Sequence, residues 1–165
     1  MKALVIDAFE FCRLEERAEG RFQVAELGRL AGECVDDSGS IEWVLQGGAD
    51  QYGHPRLRLA VGGTLRLMCQ RCLTPFAYRI DTDSVLILAA DEAGADAIEE
   101  RLADDAVDVI VGSRQMDVAA LVEDDALLAI PPAPKHEVCP DSIAATGVPA
   151  VEKPSPFSVL KHLKQ

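Results

Sequence analysis

From Arg56 onward, apolar and polar side chains alternate. Leu57, Leu59 and Val61 stand against Arg56, Arg58 and Ala60, and Leu65, Leu67 and Cys69 against Arg66, Met68 and Gln70. A repeat of two is that of a strand with one buried face. Gly62-Gly63, between the runs, reads as a hairpin turn, as does Gly47-Gly48 earlier in the chain. A two-residue turn at Gly62-Gly63 would set Leu59 opposite Arg66 and mix the faces. A three-residue turn pairs leucine with leucine and gathers the arginines on the other side. Pro75 closes a further turn, after which Phe76, Tyr78 and Ile80 alternate with Ala77, Arg79 and Asp81 and lead into Val85–Leu88. Ile41, Trp43 and Leu45 give a strand ahead of these. The expectation is an antiparallel meander with one apolar face.

Two segments have helical spacing and can cover that face. They are Ala25–Cys34 and Asp117–Ile130, the second with Asp117 as N-cap, Val118, Leu121, Val122 and Leu128 along one stripe, and Pro131-Pro132 as the stop. The fold class expected is therefore α+β, a β-meander covered by helices, in a single domain over residues 1–165. Residues 89–105 are mostly Ala, Asp, Glu and Gly, with little apolar surface to offset the entropy of ordering, and read as an acidic mobile loop. Residues 131–156 lack periodicity and read as irregular. Ser155 followed by Pro156 then signals the start of a short C-terminal helix over 155–163. Phe157, Leu160 and Leu163 form its apolar side, with Lys161 and Lys164 near its end. That helix is expected to dock, either on the domain's own sheet or on a partner.

Charge adds what periodicity lacks. The formal net charge is -12, from 28 acidic and 16 basic side chains, which disfavours coating of nucleic acid by overall attraction. Residues 81–130 hold 14 of the acids and 2 of the bases, whereas residues 54–80 hold five arginines, Arg56, Arg58, Arg66, Arg71 and Arg79, and no acid. Any contact with nucleic acid must therefore be local, and this face is its candidate footprint for RNA phosphates. The competing reading is a solvated face whose arginines pair with the acidic segment. The longest apolar run, Val85–Ala90, is far short of the roughly 20 residues that cross a bilayer, so no membrane role is expected. Five cysteines in a chain of this size suit a reducing cytoplasm. Cys12 and Cys34, among apolar neighbours, read as core residues.

The strongest chemical signal is Cys69-Gln70-Arg71-Cys72 at a strand-to-turn transition, because two thiolates on one tight turn supply half of a tetrahedral metal site. His136 and Cys139 would complete it as Cys3His, with zinc as the cofactor. Leu73, where a typical knuckle has glycine, argues instead for a reduced thiol pair without metal. A nucleophilic enzyme finds no support: G-x-S-x-G is absent, and His54, His136 and His162 fall in loops or at a terminus. Neither glycine pair leads into a phosphate-binding helix. Glu123-Asp124-Asp125 point in three directions from a helix and read as a solvated face.

Three patches in this order resemble the YceD family, the large ribosomal RNA subunit accumulation proteins. They are Leu67–Phe76 (LMCQRCLTPF), then Val122–Pro131 (VEDDALLAIP) leading to His136 and Cys139, then Lys153–Leu160 (KPSPFSVL) with Leu163 and Lys164. Ser155 stands where the family commonly has Asn, and either residue caps a helix. The resemblance implies a non-enzymatic factor supporting the accumulation of large-subunit ribosomal RNA in the cytoplasm, by binding the RNA or a pre-ribosomal particle. The acidic segment favours an alternative, an adaptor or chaperone for a basic ribosomal protein.

Overall fold

A computed structural model describes residues 4–102 and 107–140. In chain order the elements are β1 (Val5–Ile6), α1 (Ala8–Arg13), β2 (Arg17–Gln23), a 3-10 turn (Val24–Glu26), α2 (Gly28–Glu33), β3 (Ser40–Ala49), β4 (Pro55–Met68), β5 (Pro75–Ala89), α3 (Glu92–Leu102), β6 (Asp108–Val111), β7 (Met116–Asp117) and α4 (Val118–Leu128). Strands β2-β3-β4-β5-β6 form one sheet in that order, while β1 and β7 pair separately. Pairing along the sheet is antiparallel except between β5 and β6, which run parallel and are joined through α3. The α+β class and most of the meander agree with the sequence reading.

The hairpin expected at Gly62-Gly63 does not form. β4 runs straight through both glycines, so that Gly62 pairs with Glu42 on one side and Asp81 on the other. The inserted pair preserves the repeat of two, and Leu57, Leu59, Val61, Leu65, Leu67 and Cys69 are all buried on one face. Gly63 lies on that same face, where a side chain would meet the Ser40 carbonyl and Ile41. Gly47-Gly48 likewise sits inside β3. The turn between β3 and β4 is Asp50–His54 instead: the Asp50 carboxylate accepts the N–H of Tyr52 and of His54 and bonds His54 Nδ1 at 2.8 Å.

Helices α1, α2 and α4 supply Ala8, Phe11, Leu30, Val118, Val122 and Ala126 to the core above the leucine face. Asp7 caps α1 and Asp117 caps α4, each accepting two backbone N–H bonds in the first turn. The segment expected as one helix over Ala25–Cys34 divides into the 3-10 turn and α2 at Leu27 (φ -105°, ψ 86°). Cys12 is buried as expected, and Cys34 is half-buried.

Residues 89–105, expected to be a loop, instead contain the three turns of α3. Alanine and glutamate favour helix, and Ala95, Ile98 and Leu102 share a side on which Ala95 is buried. Residues 131–140 contain no helix or strand. The expected C-terminal helix over 155–163, with Phe157, Leu160, Lys161, Leu163 and Lys164, lies outside the described residues.

Candidate metal centre and arginine face

The β4–β5 connection is a tight knuckle. The Cys69 N–H donates to the Thr74 carbonyl at 3.0 Å, and the Leu73 N–H donates to the Cys69 carbonyl at 2.9 Å. Leu73 closes the knuckle with φ 57°, the left-handed conformation that glycine ordinarily supplies. Leucine at this position therefore does not prevent the bend. The Gln70 N–H reaches across to the Pro134 carbonyl at 2.8 Å and ties the knuckle to residues 131–140. This juxtaposition brings His136 and Cys139 to Cys69 and Cys72, with all four ligand atoms within 4.8 Å of one another.

The donor set fits zinc. With metal–sulfur bonds of about 2.3 Å, two thiolates on a tetrahedron stand about 3.8 Å apart, and a thiolate and an imidazole nitrogen about 3.6 Å apart. Cys69 Sγ and Cys139 Sγ are 3.8 Å apart, and Cys72 Sγ and His136 Nδ1 3.4 Å. At Cys69 the surroundings also favour charged sulfur. Burial raises the Cys69 thiol, but backbone N–H groups of Cys72, His136 and Arg71, together with the His136 side chain, outweigh it and bring Cys69 down to about 5. Arg71 donates to Cys139 Sγ at 3.0 Å and to the His136 carbonyl at 3.2 Å. That guanidinium draws the Cys139 thiol down, but burial and the neighbouring Cys72 and Cys69 sulfurs leave it above its ordinary value. The His136 ring packs at 4.8 Å against Phe76, the second residue of β5, with the two ring planes inclined by 38°.

The five candidate arginines do not converge on one place. Arg71 belongs to the cysteine cluster. Arg56, Arg58, Arg66 and Arg79 share the sheet face opposite the leucines, and register adds Arg17 and Arg21 to it, through the rows Arg17–Gln46–Arg58–Val85 and Arg21–Glu42–Gly62–Asp81. β2 does alternate in the sequence, Arg17, Glu19, Arg21 and Gln23 against Ala18, Gly20 and Phe22, and that repeat of two is the signal that could have placed its two arginines. Carboxylates are interleaved with them. Arg58 grips Asp83 and holds it below the usual carboxylate range, Arg21 pairs with Glu42, and Arg66 lies 3.3 Å from Asp36. Arg79 stands 3.8 Å from Asp81, and Arg56 makes no ion pair among the described residues. Asp81 and Asp83 open the acidic segment, so the expected pairing with that segment is present at Arg58 and Arg79.

A family model described as large ribosomal RNA subunit accumulation protein YceD matches residues 57–164. The chain belongs to the YceD family. No solved structure matches it. The matched stretch begins within β4 and includes the whole cysteine cluster, while β1, α1, β2, α2 and β3 precede it.

In the acidic triplet of this YceD chain only Asp124 is exposed to solvent. Glu123 is buried, and its Oε1 accepts the backbone N–H of Arg29 at 2.7 Å and of Leu30 at 3.1 Å, which caps the start of α2 from another helix. The Arg29 side chain bonds both Glu123 and Asp124. Asp125 turns to the sheet and accepts the hydroxyls of Thr82 and Ser84. Three successive carboxylates do point in three directions, but each meets a partner, and together they lock α4 to α2 and β5. Leu27, the N-cap residue of α2, has no side-chain acceptor for the N–H groups of Arg29 and Leu30, and that lack is the one signal of the Glu123 cap in the sequence.

Proposed function

We propose that this YceD chain supports accumulation of large-subunit ribosomal RNA without catalysing a reaction, by binding RNA of a pre-ribosomal particle in the cytoplasm through the outer face of its sheet. The observation that carries this reading is the set of six guanidiniums, Arg17, Arg21, Arg56, Arg58, Arg66 and Arg79, which outnumber the carboxylates Glu19, Glu42, Asp81 and Asp83 on one sheet face of a molecule of net charge -12. Their ion pairs are exposed and cost little to exchange for phosphate. The acids of α3 and α4 lie off this face, so RNA can approach without meeting them. If about four to six phosphates are engaged, log affinity for large-subunit ribosomal RNA falls against log salt with a slope of roughly -3 to -5. Replacing Arg56, Arg58 and Arg66 together by alanine flattens that slope and leaves the domain folded. A flat slope in the unmodified protein overturns the reading.

Zinc belongs to the same reading as a structural ion. Cys69, Cys72, His136 and Cys139 hold it, and it fixes residues 131–140 against the knuckle. A second reading, an adaptor for a basic ribosomal protein, draws on the carboxylates of α3 and α4. Capture from ribosomal lysate with and without ribonuclease separates the two: digestion releases partners held through RNA and leaves a directly bound protein in place.

A further inference from the structure

An apolar groove of about 710 Å³ lies where α4 meets the outer edge of the sheet. Leu59 and Leu86 of the core face form part of its lining, with Ile110 of β6 and Leu121 and Leu128 of α4. Leu128 is 85% exposed, an unusual position for a leucine beside so large a concavity. The polar part of the lining has one sign. Glu99, Asp108, Asp124 and Asp125 contribute to it, with no lysine or arginine among its described residues.

One stretch of this chain has the matching chemistry. Residues 153–165 carry Lys153, Lys161 and Lys164 and no acid, in a protein of net charge -12, and place Phe157, Leu160 and Leu163 at intervals of three. We propose that this stretch is the occupant of the groove in the same chain, its apolar side chains against Leu59, Leu86, Leu121 and Leu128 and its lysines facing the four carboxylates.

The connection is long enough. The described chain reaches Pro140, next to Cys139 of the cysteine cluster. From that cluster to Leu59 is ten residues of β4, or about 33 Å of strand. The twelve residues 141–152 span up to about 40 Å. Tethering supplies an effective concentration in the millimolar range, so a modest intrinsic affinity suffices. The groove is thus the docking place of the 155–163 segment, independently of RNA and zinc.

The test uses the full chain with a benzoylphenylalanine cross-linker in place of Phe157, irradiated at low concentration, with cross-linked peptides mapped by mass. A second chain carries the label at Leu160 in case the first fails to fold. The expected links join one chain's own tail to peptides of α4 and β6. Leu128→Lys, at a position exposed in the described domain, places a cation beside the lysines and lowers the yield at least about tenfold, with an unchanged circular dichroism spectrum showing that the domain is folded. Links elsewhere on the domain, links between two copies, links that form only to an added ribosomal component, or a yield indifferent to Leu128→Lys each overturn the inference.

Discussion

Glu123 shows how much one side chain does in this fold. Its carboxylate sits 8% exposed between α4 and α2, accepting two backbone N–H groups and the Arg29 guanidinium. Burial alone would raise its pKa; the bonds from Leu30 and Arg29 outweigh that and hold it below the ordinary value. A lowered folded pKa contributes stability that is complete above the unfolded value, near 4.3, and is lost as pH falls through the folded one. Urea midpoints measured from pH 7 to 3 should stay level in the upper range and drop below about pH 4.5, with a shallower drop for Glu123→Gln. Glu123→Ala leaves two N–H groups and a guanidinium without their acceptor and should cost about 2–4 kcal/mol, lowering Tm by about 5–15 °C. Leu73 is the opposite case. It is 71% exposed and held at φ 57°, so Leu73→Gly removes strain while exposing little. That change should raise stability by up to about 1 kcal/mol in thermal or urea unfolding.

Between the sheet's elements, the close contact at Gly63 has the sharpest consequence. A methyl there would come within 2.6 Å of the Ser40 carbonyl and 2.7 Å of Ile41 Cδ1, so Gly63→Ala should destabilise by about 1–3 kcal/mol by calorimetry, with β3 shifted away from β4. The strand itself was legible in the sequence. Leu57 through Cys69 occupy odd positions on both sides of the glycine pair, a parity that a straight strand preserves without any turn. The glycines read as punctuation because their role, close approach of a neighbouring strand, depends on tertiary pairing. Asp117 announced α4 through its cap, and Asp7 caps α1 in the same way, but α1 is only six residues long, too short for a repeat to show. α3 was obscured by its carboxylates. Its apolar side needs only Ala95, Ile98 and Leu102 because β5 and β6 complete the cover.

Charge is unevenly placed over the whole molecule, with guanidiniums interleaved with fewer carboxylates on the outer sheet face, carboxylates on α3 and α4, and the cysteine cluster at the turn of the β4–β5 hairpin. Composition by segment exposed the first two. The four donor residues were legible, but not the contacts that align them: Gln70 to Pro134 and Arg71 to Cys139 span more than 60 residues and follow from the assembled fold. The proposed zinc would stabilise the whole molecule by binding the folded form alone. Protein prepared without chelator should contain close to one zinc per chain, and its removal should lower Tm and open the 131–140 segment to protease. A chain that is metal-free as purified, with a Tm unmoved by added zinc, excludes the ion.

Cys72 and His136 stand 64 positions apart. At about 5–20 residues per second, a ribosome making this chain needs roughly 3–13 s to travel from one to the other. For that interval the newborn polypeptide carries Cys69 and Cys72 without their two companions, a dithiol open to adventitious ions and oxidants. The cluster is thus completed only after β5 and α4 have been made, and its closure marks a chain that has been translated through Cys139.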